Sequence, residues 1–317
     1  MAHLVENMAY VGATPWHGLG NQLTRNQPLE VWAKQAGMNW QINESPIHYI
    51  AGEHERLGEL KQYSESKVLY RSDTKEALSV VGNRYKVVQP EEILEFYRDL
   101  THYAGFELET AGVLKGGRKL WALARTGQTG VLKGNDHSNA YVLLATACDG
   151  SMATTAQFTS IRVVCNNTLA IALHGQSAAT VKVKHNTIFD ADKVKRELGL
   201  SVSVWSQFMD EMKALSNRKV KDKEAEQFIS TLFTDPATQA SNQKAMNRVH
   251  ELFNGHGRGS QLASSKGTAY GLLNAVTEFI DHERRAKNTD YRLDSAWFGL
   301  GASIKQNALE NALALVA

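Results

Sequence analysis

Cysteine is nearly absent: Cys148 and Cys165 are the two thiols in 317 residues. Two thiols exclude a disulfide-stapled scaffold and a cysteine-based zinc cluster. Proline is scarce, with five residues against 24 glycines, which excludes collagen-like and proline-rich low-complexity chains. No apolar run approaches the roughly 20 residues that cross a bilayer as a helix. The net charge is only +2. The chain as a whole is therefore no polyelectrolyte, and a nucleic-acid role requires its basic residues to gather on one face. The opening "MAHLVENMAY" has no basic segment ahead of an apolar core. A secretory signal is not expected, and a reducing cytoplasm is the expected setting.

What is present is a globular composition, 43% hydrophobic and 21% charged, long enough for one large or two ordinary domains. Residues 1 to 30 read as an irregular arm with turns at Gly12, Pro15, Gly18 and Gly20. "LEVWAKQAG" has a short apolar helix face and a glycine stop. "WQINESPIHYI" alternates as a strand does, whereas "ERLGELKQYSESK" reads as a polar loop or hairpin tip. "KVLYRSD" and "ALSVVGNRYKVV" are Val-, Leu- and Tyr-rich strands. "QPEEILEFYRDLTHYAG" is a helix, with Pro90 in its first turn and Gly105 as its stop.

Two hairpins follow, around Gly116-Gly117 and around Asp149-Gly150. "NNTLAIALHG" reads as a short helix capped by Asn166 or Asn167 and ended by Gly175, and "ATVKVKHN" as a last strand. From 190 onward the periodicity is helical. "HGRGSQLASSKGT" reads as a flexible loop and "AYGLLNAVTEFIDHERRA" as an amphipathic helix. The fold class is α+β: a mostly antiparallel sheet of hairpins with packed helices, then a mainly helical C-terminal region. The expected domains are 1–189, an α+β core with its N-terminal arm, and 190–317, the helical region. Strands do not alternate with helices at βαβ spacing, which disfavours a Rossmann or barrel fold.

No phosphate-binding loop and no HExxH motif occurs. Eleven histidines invite a metal reading. The best spacing, Glu278 and His282 with Asp281 and Glu283 nearby, also fits a salt-bridged helix surface. No metal site is assigned, and no cofactor or catalytic residue. Cys165, where a strand meets the expected helix, reads either as a buried thiol or as a nucleophile without an identifiable base.

The basic residues of the middle region carry more information. Lys115, Arg118, Lys119 and Arg125 lie on the first hairpin, Arg162 on the second, and Lys182 and Lys184 two apart on the last strand. From 110 to 189 the only acids are Asp136 and Asp149, both in expected turns. If these cations share a face, they form a positive track, with Trp121 or Tyr141 as stacking platforms for the bases of a single strand. An ordinary sheet face guarded by lysines is the other reading.

The stretches "MAHLVENMAYVGATPWHGLG", "YKVVQPEEILEFYRDL", "FTSIRVVCNNTLAIAL", "GTAYGLLNAVTEFIDHERR" and "SAWFGLGASIKQNAL" resemble a phage- and plasmid-like family of uncharacterised function. The resemblance implies a mobile-element protein in a bacterial cytoplasm and supplies no catalytic residues. In architecture alone, the order of hairpins and helices is similar to phage single-strand annealing proteins, whose rings or filaments imply a homo-oligomer; fold by itself does not give function. Trp16 and His17, in "TPWHGLG", are then expected to anchor an arm, on a neighbouring subunit or on the chain's own core. The expected function is a non-enzymatic single-stranded DNA-binding protein, an annealing or recombination mediator, with no membrane partner. The alternatives are a module engaging a host or defence protein, and an enzyme built on Cys165 or on the 269 to 286 helix.

Overall fold

The computed structural model describes residues 5–12, 20–52, 58–103, 105–162, 164, 167–170, 180–198, 202–235 and 237–316. Antiparallel hairpins dominate the first half and helices the second, so the fold is α+β. One sheet has the strand order β10 (Asn167–Ala170), β9 (Thr154–Arg162), β8 (Asp136–Ala147), β7 (Lys119–Leu132), β6 (Glu107–Leu114), β1 (Val5–Val11), β2 (Asn21–Leu23), with β11 (Thr180–Val183) on β9; a second has the order β3 (Ile42–Ala51), β4 (Glu59–Arg71), β5 (Ala77–Gly82). Packing divides the chain into two units, one of residues 1–124, 143–156 and 181–195, the other of residues 125–142, 157–180 and 196–317. The units are discontinuous in sequence because β7 (Lys119–Leu132), β8 (Asp136–Ala147) and β9 (Thr154–Arg162) each run from one into the other. The change of character near residue 189 follows the helical periodicity, whereas the units follow contacts.

In the first unit, the expected irregular arm contains β1 (Val5–Val11) and β2 (Asn21–Leu23). β1 pairs antiparallel with β6 (Glu107–Leu114), Ala9 opposite Ala111. A Cβ on Gly112 would sit 2.8 Å from Met8 Cβ, so the missing side chain lets the two backbones meet. α1 (Leu29–Gln35) buries Trp32, and the chain turns after it at Gly37, φ +67°. β3 (Ile42–Ala51), β4 (Glu59–Arg71) and β5 (Ala77–Gly82) form the second sheet. The stretch 55–67, expected to be a polar loop or hairpin tip, is strand from Glu59 onward: β4 pairs antiparallel with β3 from Ile42↔Arg71 to Ala51↔Glu59. Cross-strand bonding overrides its polar composition.

The helix expected after Gln89 is two helices, α2 (Pro90–Glu95) and α3 (Arg98–Tyr103). A reciprocal Gln89–Glu92 capping box starts α2, and the Gln89 amide also bonds both the N–H and the C=O of Ile42. Phe96 and Tyr97 between the helices are wholly buried, and the Tyr97 hydroxyl donates to the Ala122 carbonyl at 2.8 Å. β11 (Thr180–Val183) and the start of α4 (Ala191–Leu198) complete the unit.

The second unit holds α5 (Val202–Asn217), α6 (Asp222–Phe233), α7 (Gln243–Glu251), α8 (Ala269–Glu278), α9 (Thr289–Phe298) and α10 (Leu300–Ala314), and α5, α7 and α10 pack on α8. α8 was expected to be amphipathic; every residue of it is buried, against α5, α10 and β10 (Asn167–Ala170) among others. A helix covered on all sides carries no polar face. The short helix expected from Asn166 is instead, in its described part, the strand β10, held by Asn167↔Arg162 and Leu169↔Ser160 pairing on β9. The expected flexible loop at 256–268 is a run of turns with Ser264, Ser265 and Thr268 buried. Thr268 caps α8 by accepting from the Gly271 N–H at 3.0 Å.

Candidate functional site

The cations expected on one track have different fates. In the second unit, Arg162 is 3% exposed and grips Asp136, itself 1% exposed, with Nε 2.8 Å from Oδ1 and Nη2 2.6 Å from Oδ2. The same Nη2 donates to Ser265 Oγ at 2.8 Å, and Ser264 Oγ donates to Asp136 Oδ2 at 2.6 Å. Asp136 was expected in a turn; it opens β8 as the buried partner of Arg162, which is withdrawn from solvent. Arg125 is half-buried with its guanidinium over the Tyr141 ring, 5.9 Å from the centroid. Tyr141 is 2% exposed, so it offers no platform to a base.

In the first unit, Trp121 and Lys119 are likewise buried, at 2% and 6% exposure. All six residues 119–124 of β7 are buried. That stretch is covered on both faces, so alternation there does not separate inside from outside. Lys115 is half-buried, whereas Arg118, Lys182 and Lys184 are exposed. Trp16, His17 and Cys165 lie outside the described residues. Cys148 is buried, and desolvation pushes its thiol up to about 12. No group of three or more His, Cys, Asp or Glu that could hold a metal ion occurs among the described residues. Glu278 and Asp281, expected on a helix surface, are interior: Asp281 Oδ1 is 2.6 Å from Lys305 Nζ, and Glu278 accepts from the Arg258 N–H.

Around Arg118, Lys182 and Lys184 the first unit assembles a surface that the sequence reading missed. Four chain segments meet there. The Cys148 N–H donates to the Arg118 carbonyl at 2.9 Å, and the Lys86 N–H to the His185 carbonyl at 2.5 Å. The Tyr85 hydroxyl donates to the Ala147 carbonyl at 2.7 Å. The two ring nitrogens of His185 lie 3.0 and 3.2 Å from the carbonyl oxygens of Lys86 and Met152. Tyr85 and His185 stack, with centroids 4.4 Å apart and planes 13° from parallel. Burial raises the Tyr85 hydroxyl well above the usual tyrosine value, so it stays a neutral donor.

The stack lines an open cavity of about 390 Å³ with Glu65, Gly82, Asn83, Arg84 and Asn186. Arg84 and Lys86 are exposed, like Arg118, Lys182 and Lys184. No described residue forms an ion pair with any of the five. Their signal in the sequence was weak, because Arg84 and Lys86 lie about a hundred residues before Lys184. A second cavity in the same unit, about 400 Å³, holds Arg25 and Arg98, but each faces a glutamate there: Arg25–Glu107 at 3.9 Å and Arg98–Glu30 at 3.6 Å.

A family model described as a domain of unknown function (DUF932) matches residues 77–297. The chain belongs to this family. The match takes in Arg84, Tyr85, Lys86, Arg118, Lys182, Lys184 and His185 and leaves out Glu65. A search of curated proteins finds no match. Among the described residues, no helix is long and apolar enough to cross a membrane.

Proposed function

We propose that this DUF932 protein binds single-stranded nucleic acid, in a phage or plasmid setting, through the exposed surface of its first unit. One observation carries the reading: Arg84, Lys86, Arg118, Lys182 and Lys184, around the Tyr85–His185 stack, are exposed and form no ion pair with a described residue. Unneutralised cations supply the salt-dependent attraction to phosphates, and an aromatic face supplies stacking, which any base can use. Arg162, Lys119, Trp121 and Tyr141 drop out of the interface because they are buried. An annealing role is a further step, which requires the bound strand to keep its bases open for pairing.

The test is fluorescence anisotropy of a labelled single-stranded oligonucleotide across a salt series. Lys182→Glu with Lys184→Glu should weaken binding at every salt concentration. It should also flatten the log–log salt slope by about 1.4, at about 0.7 per phosphate contact on a single strand. Unchanged affinity and slope would place the interface elsewhere, and no retention at low salt would end the reading.

A second reading, a protein-interaction module that includes self-association, is favoured by the outer part of the β3–β4 ribbon. β5 pairs with β4 only from Ser66 to Tyr70, so Ile47–Ala51 and Glu59–Tyr63 form a two-stranded ribbon. There the directly opposed Ile50 and Leu60 are 69% and 70% exposed. An apolar cross-strand pair this exposed is the kind of surface a partner protein covers.

A further inference from the structure

The cavity beside the Tyr85–His185 stack has polar walls with a definite donor and acceptor pattern. The stack itself is fixed. The Tyr85 hydroxyl donates to the Ala147 carbonyl, and the two His185 ring nitrogens face the carbonyl oxygens of Lys86 and Met152, where a ring N–H donates, so the pair has its outer ring faces left to offer. A platform held in this way loses little conformational freedom when a flat ligand lands on it. Glu65 lines the cavity, is exposed, and its carboxylate has no hydrogen bond or ion pair with a described residue. The Asn83 amide donates one N–H to the Ser64 carbonyl, and its Oδ1 is an acceptor with no donor among the described residues. Asn186 Oδ1 accepts from the Thr187 hydroxyl, which leaves its Nδ2 as a donor. Arg84 adds a cation, and Gly82 has no side chain to fill the space.

We propose that this cavity takes a guanine base of a single-stranded nucleic acid, stacked on the Tyr85–His185 pair with its N1–H and N2–H groups on the Glu65 carboxylate. The assignment rests on the nucleic-acid reading of the same surface. The selectivity follows from hydrogen-bond chemistry. A carboxylate accepts and never donates. The Watson–Crick edge of guanine presents two adjacent donors that match a carboxylate, and beside them the O6 acceptor, which suits Asn186 Nδ2. Thymine presents two acceptors flanking one donor, so a carboxylate meets it with lone pairs opposed. Stacking alone would treat the two bases alike; Glu65 is what distinguishes them.

The experiment compares labelled oligo(dT) with the same oligonucleotide carrying one central guanine, and with one carrying inosine, which lacks the N2 amino group. All are measured by anisotropy at fixed salt. The wild-type protein should bind the guanine oligonucleotide about fivefold or more tighter than oligo(dT), a bidentate contact being worth at least that factor. Inosine should fall between the two. Glu65→Gln should abolish the preference while holding oligo(dT) at least as tightly as the wild type, since it removes an anion from a cationic surface. Equal affinity for all three oligonucleotides, or a preference that survives Glu65→Gln, would overturn the guanine pocket and leave the interface standing. Failure to bind any of them would overturn both.

Discussion

Asp136→Asn is the substitution that most directly tests the account of the second unit. The wild-type carboxylate lies beside the Arg162 guanidinium with both side chains almost wholly buried, 0% and 4% exposed, and it also accepts from the buried Ser264 hydroxyl. Asparagine keeps the shape and removes the charge. The guanidinium, which is not deprotonated in a protein, is then buried without a counter-charge. An amide N–H2 also replaces one of two oxygens that each face a donor. Breaking a buried pair from one side costs about 3–5 kcal/mol. For a unit of this size, about 2–4 °C of melting temperature is lost per kcal/mol, so a fall of about 6–20 °C is expected. Thermal and urea unfolding of the single variant, of Arg162→Met, and of Asp136→Leu with Arg162→Met form a double-mutant cycle. The double variant should cost clearly less than the two single variants summed, because no lone charge remains. Additive costs, or a loss below about 1 kcal/mol for Asp136→Asn, would mean that the pair does not hold the 257–268 turns to β8 and β9.

Three further outcomes are expected. With its thiol near 12, Cys148 has almost no thiolate at pH 8, so peptide mapping after brief iodoacetamide treatment should find it unmodified natively and alkylated in denaturant; rapid native labelling would contradict its burial. The Arg71 guanidinium holds the Asp73 carboxyl at about 2, against 3.8 ordinarily. The folded value is the lower one, so this pair's contribution to stability is present above pH 3.8 and is lost as pH falls towards 2; acid titration of Asp73→Asn should show a shallower loss through that window, and an unchanged acid limb would refute the pairing. On the interaction reading, Ile50→Ser with Leu60→Ser should leave the melting temperature nearly unchanged and lower the sedimentation mass or abolish partner capture, while an unaltered assembly would clear the ribbon of that role.

The elements that sequence periodicity made legible are those whose partners lie close in the chain. The hairpins around Gly116-Gly117 and Asp149-Gly150 follow from turn chemistry, and α2 from Pro90 with its acidic first turn. The misread elements are those fixed by distant contacts. Asn167–Ala170 has helix-compatible composition, yet the Thr168 N–H donates to Asp281 Oδ2 at 2.7 Å, and the Asn167 amide donates to the Asn274 carbonyl and the Thr277 hydroxyl, more than a hundred residues away. β4 looks like a polar loop because both faces of its outer half are exposed. α8 looks amphipathic because Asn274, Thr277 and Glu278 are polar, but Asn274 donates back to the Tyr270 carbonyl, Thr277 to the Asn274 carbonyl, and Glu278 accepts from Arg258. Each polar group carries its own local partner into the interior.

The same distinction sorts the basic residues. An arginine or lysine can enter a protein interior only with an anion or several acceptors, and once so matched it has no charge left for a partner. Arg162 with Asp136 and Lys305 with Asp281 meet that condition. Burial pulls the Lys305 ammonium below the ordinary lysine value, and the carboxylate beside it works in the other direction. A count of basic residues along the strands cannot separate Arg162 on β9 from Lys182 on β11 and Lys184 just after it. The acids can. Asp136, read as a turn residue, consumes Arg162, whereas five cations of the first unit, Arg84, Lys86, Arg118, Lys182 and Lys184, form no ion pair with a described residue. Reversing the exposed Lys182 and Lys184 should therefore weaken polyanion binding, while reversing the buried Arg162 should first unfold the unit that contains it.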